Sequence, residues 1–179
     1  MPRKLKNSEL VRKTDEEFKT SAKTPLILIL DNIRSLNNIG SVFRTADAFL
    51  IQKIYLCGIT AKPPHKDIQK TALGATQTVD WSYRESTLEL IQELKESEVH
   101  VMSIEQAENS VSLEDFSPSQ DKTYAFVFGN EVKGVQQDVV DASNAVLEIP
   151  QLGTKHSLNI SVTAGVCVWD FMSKTQFKP

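Results

Sequence analysis

The sequence predicts an α/β domain built on a mostly parallel sheet with helices on both faces. Short runs of branched apolar residues recur along the chain, and they alternate with amphipathic stretches of helical period. Several of these runs stop abruptly in polar, glycine-containing loops, as buried strands do when they emerge at a sheet's edge. A run as continuous as residues 26–30 offers no polar face to water, so it must be covered on both sides. With 179 residues, 40% apolar and 24% charged, the chain has the proportions of one soluble globular domain with a sizeable core.

Residues 1–24 form a polar, partly basic arm, in which Arg3, Lys4, Lys6, Arg12, Lys13, Lys19 and Lys23 are set against Glu9, Asp15, Glu16 and Glu17. Such a segment is either a solvated, partly helical face or an arm that touches phosphates. The domain itself is expected over residues 25–179. Pro25 to Leu30 reads as a buried strand ending at Asp31-Asn32. A helix follows from about Asn38, with Ile39, Val42, Phe43, Ala46, Phe49 and Leu50 as its apolar stripe. Asn37, Ser41 and Arg44 share the opposite face at helical spacing. Ile54 to Cys57 is the next strand, and residues 60–77 read as a loop with a short helix at most.

Val79 to Tyr83 reads as a strand, and Ser86 to Lys95 as an amphipathic helix turning Leu88, Ile91 and Leu94 inward. Val99 to Ile104 is a strand, and residues 109–122 a polar connection broken at Pro118. Two strand-and-loop units then follow. Phe126-Val127-Phe128 runs into Gly129-Asn130-Glu131-Val132-Lys133-Gly134. After a helix over roughly Gln136 to Ala142, Leu147-Glu148-Ile149 runs into a loop that gathers Lys155, His156, Ser157 and Asn159. The last helix is expected from near Ser157, with Ser161, Ala164 and Gly165 as a small-residue flank. Ligands of parallel α/β sheets bind at the carboxyl ends of strands, which places both loops on the ligand side.

Composition also excludes. A formal net charge of −3 provides no global positive field, so nucleic-acid binding would need a local basic groove of the kind a dimer can assemble. Cys57 and Cys167 are too few for a disulfide framework, and a reduced cytoplasm is the expected location. His65, His100 and His156 show no metal-ligand spacing, so no metal is expected. Met1 to Lys23 lacks the apolar core of a secretory signal, and Val162 to Phe171 is too short to span a bilayer. The dinucleotide-binding glycine fingerprint and the P-loop are both absent.

Three segments together carry a resemblance. Asn38-Ile39-Gly40-Ser41-Val42-Phe43-Arg44-Thr45-Ala46-Asp47-Ala48 is similar to the first motif of the SpoU (TrmH-type) RNA methyltransferases of the SPOUT superfamily. Phe128-Gly129-Asn130-Glu131-Val132-Lys133-Gly134 resembles the second, and the stretch from Ile149 to Ser161 the third. Lys70-Thr71-Ala72-Leu73-Gly74-Ala75 is similar to a further segment common in that family. The resemblance covers about residues 25–172. It implies a deep C-terminal trefoil knot, which periodicity cannot show because true knots are rare exceptions. It also implies S-adenosyl-L-methionine bound in the knot, a homodimer, and methyl transfer to a ribose 2′-hydroxyl of tRNA or rRNA. Longer relatives carry a separate N-terminal RNA-binding domain, for which the short arm here leaves no room.

By the same resemblance, Gly129, Ile149 and Leu158 hold the cofactor, and Arg44, Asn38, Glu131, Ser157 and Asn159 complete the catalytic site. The residues themselves admit plainer readings. Ile149 and Leu158 can be simple core, and Asn38, Ser157 and Asn159 can be helix caps. Glu131 either ligates RNA or braces a loop through backbone N–H groups. Lys155, His156, Lys66 and Lys70 are candidate RNA contacts or solvated side chains. Arg44 is ordinarily a surface ion-pair residue. In the family it is given the catalytic part, yet a guanidinium is effectively always protonated and suits phosphate binding and alkoxide stabilisation better than proton removal. Two other functions remain open at this stage: a base-directed SPOUT methyltransferase, and a non-catalytic RNA-binding dimer that retains the fold.

Overall fold

Strand β1 (Thr24–Asp31) is buried along nearly its whole length and alternates between two cores. Leu26, Leu28 and Leu30 enter one of them, and Ile27 and Ile29 the other. This chain is seen in a computed structural model that describes residues 1–155 and 157–177. The remaining strands are β2 (Ile51–Cys57), β3 (Trp81–Arg84), β4 (His100–Ile104), β5 (Val111–Ser112), β6 (Tyr124–Phe128) and β7 (Ala145–Glu148). They form a seven-stranded sheet in the order β3-β2-β1-β6-β4-β7-β5. Every bonded pair of neighbours is parallel.

Helices cover both faces. On the first lie α2 (Leu36–Ala48) and the long α7 (Ile160–Thr175), and on the second α5 (Thr87–Glu96) and α6 (Gln137–Ala142). Ile39, Val42, Phe43 and Ala46 of α2 are fully buried, the larger of them contributing about 1.5–3 kcal/mol each. Ser35 caps the helix by accepting from the Asn38 backbone N–H at 3.3 Å. Phe171 of α7 packs edge-on against Tyr124 and Phe126 of β6, which ties the C-terminal helix to the centre of the sheet. From β1 the chain leaves through α2 toward β2, whereas from β6 it leaves on the other face through α6 toward β7. Adjacent strands with diverging connections open a crevice at their carboxyl ends.

Several expectations need correction. Residues 60–77 hold two helices, α3 (Lys66–Ala72) and α4 (Ala75–Thr78), because His65 accepts from the Asp67 N–H and starts the first of them. The polar connection of 109–122 contains β5, which adds to the edge of β7, and buries Leu113 and Phe116. Phe49 and Leu50 lie beyond α2, since Leu50 adopts φ +51° and ends the helix. Val79 belongs to the end of α4, and the strand runs over Trp81–Arg84. In α5 the buried face is Thr87, Leu90, Ile91 and Leu94, with Leu88 only half-buried. The arm contains α1 (Asp15–Thr20), which Thr14 and Glu17 start with a reciprocal cap and whose Phe18 is buried in the first core. The last helix starts at Ile160, three residues beyond Ser157.

Candidate active site

The carboxyl ends of β4, β6 and β7 and the approach to α7 enclose a cleft of about 680 Å³. Gly129, Glu131, Ile149, Ser157, Leu158 and Asn159, all singled out from sequence, line it. Asn38, Arg44, Lys66, Lys70 and Lys155 do not. His156 lies outside the described residues. Among the described residues no group of three or more metal-ligating side chains occurs, and no helix is long and apolar enough to cross a membrane.

Residues 129–135 form a tight loop. Asn130 and Gly134 exchange backbone hydrogen bonds, Asn130 N–H to Gly134 C=O at 3.0 Å and the reverse at 2.8 Å. Asn130 holds the loop from inside, its Oδ1 accepting from Val132 and Lys133 N–H at 3.0 and 3.1 Å. Its Nδ2 donates to the Asn32 carbonyl at 2.7 Å and so moors the loop to the end of β1. The loop closes so tightly that a Cβ on Gly129 would stand 2.1 Å from the Val135 nitrogen and 2.2 Å from the Gly134 carbonyl carbon. Glycine is therefore required here by the loop's own backbone, whatever enters the cleft. Glu105, at the end of β4, accepts from the Val135 N–H at 2.9 Å and secures the far side of the loop.

Glu131 reaches from this loop to the N-terminus of α2. Its carboxylate accepts from the Arg34 and Ser35 N–H groups at 3.1 and 3.0 Å, and from Asn38 Nδ2 in a long contact of 3.5 Å. α2 has no acid of its own in its first turn, so Glu131 supplies the anion that the helix's positive end favours. Desolvation pushes the Glu131 carboxyl up, but the backbone N–H groups of Arg34, of Glu131 itself and of Ser35, with the Asn38 amide, outweigh it. The net shift is downward. Of the two roles open for Glu131, the described contacts are those of a brace.

Asn38 extends the chain of contacts to the third motif. Because Ser35 is the cap, the Asn38 side chain is free to project, and its Oδ1 accepts from Asn159 Nδ2 at 3.2 Å. Asn159 caps α7, its Oδ1 accepting from Ser161 N–H at 2.9 Å and Ser161 Oγ at 2.7 Å. Glu131, Asn38 and Asn159 thus link all three motifs within one chain. Ser157 is exposed, caps nothing, and makes no hydrogen bond among the described residues. Leu158 is 40% exposed and is no core residue, whereas Ile149 is half-buried against the first core.

Arg44 stands six residues, about 9 Å, along α2 from Asn38. It is exposed and makes no hydrogen bond or ion pair among the described residues. Lys66 and Lys70 are exposed one turn apart on α3, and Lys155 is exposed in the loop before α7. Sequence reasoning missed Asn130 and Glu105. Asn130 sat inside a quoted motif and could have been taken as a turn-former, but nothing local marked Glu105.

A profile of the SpoU rRNA Methylase family matches residues 25–169. The chain is 29% identical over 163 residues to the 23S rRNA (guanosine-2′-O-)-methyltransferase RlmB of Bordetella pertussis, covering 90% of this chain and 65% of that one. It spans between 55% and 65% of the length of the curated relatives it matches. Among solved structures, the A. aeolicus TrmH/SpoU tRNA modifying enzyme superposes with a TM-score of 0.78 at 22% identity, covering 89% of this chain and 79% of that one. An AdoMet-bound rRNA methyltransferase from Sinorhizobium meliloti superposes with a TM-score of 0.77 at 22% identity, covering 89% and 59%. At that identity the likeness shows the fold.

Proposed function

The chain belongs to the SpoU rRNA methylase family, and from that premise we propose that it transfers a methyl group from S-adenosylmethionine to a ribose 2′-hydroxyl of tRNA or rRNA. The observation that carries the reading is the hydrogen-bonded chain Glu131–Asn38–Asn159, which draws the three motifs together at one cleft. The B. pertussis relative, named for guanosine 2′-O-methylation of 23S rRNA, and the AdoMet-bound neighbour from S. meliloti point the same way.

The cleft suits the cofactor. Its volume lies within the usual range for small-molecule sites, and Leu158 and Ile149 give it apolar walls. Gly129, Ile149 and Leu158 are the residues we assign to hold it; when bound, it supplies an electrophilic methyl group. Asn159 and Asn38 orient the cleft's mouth, and Ser157 stands ready to hydrogen-bond the incoming nucleotide. Arg44 has no hydrogen-bond or ion-pair partner among the described residues, and we assign its guanidinium to bind the phosphate next to the target ribose and stabilise the developing alkoxide. The proton then passes to that phosphate or to water. Lys66, Lys70, Lys155 and His156 are assigned to RNA contact, with the basic part of the arm 1–24 as a further candidate beside the domain 25–179.

Two finer features belong to the same proposal. Ile149, Gln151 and residues 157–159, on the connection from β7 to α7, line one cleft with the ends of β4 and β6 and the loop 129–135, and we read this as part of a C-terminal trefoil knot. Val162, Val166 and Trp169 are exposed at i, i+4, i+7 spacing on α7, which supports a homodimer formed through that helix. Because Arg44 lies away from its own chain's cleft lining, we assign it to the site of the partner subunit. A cytoplasmic location follows from the RNA substrate.

The test is to incubate the protein with S-adenosylmethionine and RNA from a strain lacking its gene, then digest the RNA and locate the methyl by mass spectrometry. A 2′-O-methylnucleoside is expected. A methyl on a base would replace this reading with the base-directed one. Cofactor binding without transfer to any RNA would leave the non-catalytic one.

A further inference from the structure

We propose that Glu105 is the specificity-determining residue that makes the cleft prefer the positively charged methyl donor over the neutral product left after transfer. The inference rests on the cofactor assignment above. S-adenosylmethionine carries a sulphonium and an ammonium against one carboxylate, a net charge of about +1 that S-adenosylhomocysteine lacks. A carboxylate facing the cleft can therefore read the difference between donor and product electrostatically.

Among the described residues, three charged side chains line the cleft: Glu105, Glu131 and Lys133. Glu131 is already committed, with donors from Arg34, Ser35 and Asn38 on its two oxygens. Glu105 is differently placed. It follows the last residue of β4, Ile104, at the carboxyl edge where parallel sheets present groups to ligands. Its Oε1 accepts from the Gln106 N–H and its Oε2 from the Val135 N–H, each at 2.9 Å. A carboxylate has about four acceptor positions, so the two backbone donors hold it in place and leave capacity on both oxygens. A Cβ on Gly134 would meet Oε2 at 2.2 Å, so the carboxylate lies directly against the loop. It is half-buried, and among the described residues no cation lies within ion-pair distance. An oriented carboxylate with no ion-pair partner among the described residues, set in the wall of a ligand cleft, is suited to a cationic ligand.

The experiment is calorimetric titration of the full chain with S-adenosylmethionine and, separately, with S-adenosylhomocysteine, for the wild type, Glu105→Gln and Glu105→Asp. Glu105→Gln keeps the size and one acceptor while removing the charge. It should weaken S-adenosylmethionine binding about tenfold or more and S-adenosylhomocysteine binding less than about threefold. Glu105→Asp, which keeps the charge but shortens the reach to Val135, should retain the wild-type ratio of the two affinities. If Glu105→Gln fails to fold, the wild type decides the matter: its S-adenosylmethionine affinity should fall with added salt more steeply than its S-adenosylhomocysteine affinity, and equal slopes would overturn the inference. Equal losses for both ligands in the Gln variant would make Glu105 a loop brace only and overturn the inference. A wild type that binds neither ligand would instead overturn the cofactor assignment itself, and the two failures are thereby told apart.

Discussion

Replacing Gly129 by alanine adds one methyl group, and the structure says where that group must go. The new Cβ would sit 2.1 Å from the Val135 nitrogen, 2.2 Å from the Gly134 carbonyl carbon and 2.5 Å from its oxygen. Ordinary contact begins near 3.4 Å, so the loop must withdraw by about 1 Å, and the obstacles are backbone atoms that no rotamer change can move aside. Withdrawal strains the Asn130–Gly134 pair and the Val135 N–H bond to Glu105 together. We take the cost at about 2 kcal/mol, within the usual range for overpacking. For a domain of this size that is a fall of about 4–8 °C in melting temperature. The assay is thermal unfolding of both proteins without cofactor at one fixed protomer concentration, since association shifts the midpoint. A Gly129→Ala protein as stable as the wild type, weakened only in cofactor binding, would mean that the glycine makes room for the ligand and not for the loop.

Arg44→Lys keeps the charge but loses the planar fork, so turnover should fall by at least tenfold while calorimetric affinity for the cofactor stays within about twofold. Arg44→Ala and Ser157→Ala homodimers should each be nearly inactive; refolded together, about half the dimers would be mixed and roughly a quarter of all sites restored, whereas a site built from one chain would recover nothing. The Glu131 carboxyl is held below its ordinary value, so its stabilising contribution is complete above the unfolded value of about 4.3 and is lost as pH falls through the lower folded value. The stability difference between wild type and Glu131→Gln in urea titrations should therefore shrink on acidification below about pH 4, and a constant difference would contradict the brace. Deleting residues 1–12 should reduce the salt dependence of RNA binding without lowering stability, because Phe18, which the core needs, is kept. An unchanged slope would leave the arm merely solvated.

What could be read in advance divides along a physical line. The runs that became β1 and β6 and the stripe Ile39, Val42, Phe43 and Ala46 were legible because burial on both faces, or on one helical face, is written in consecutive residues. The failures came where distant parts decide. α3 and α4 lie in a stretch with two prolines and little period, and α3 is held by packing against α2. β5 is two residues long and exists as the added edge of β7. In α5 the phase was misjudged because Thr87 takes a place on the buried face that an apolar count passes over.

The site shows the same division more sharply. Motif resemblance named Asn38, Glu131 and Asn159 but could not say what each would bond to, since their contacts join residues about a hundred positions apart. Those contacts have a mechanical consequence. Glu131 holds the start of α2, Asn130 holds the end of β1, and Asn159 both caps α7 and meets Asn38. The loop 129–135, the first turn of α2 and the first turn of α7 are thereby coupled through side chains that we assign to the site. Truncating any one of them loosens the wall that places the others, so the loss in a double variant should fall short of the sum of the single losses. A double variant of Asn38 and Asn159 losing no more than either single variant would be the signature of that coupling.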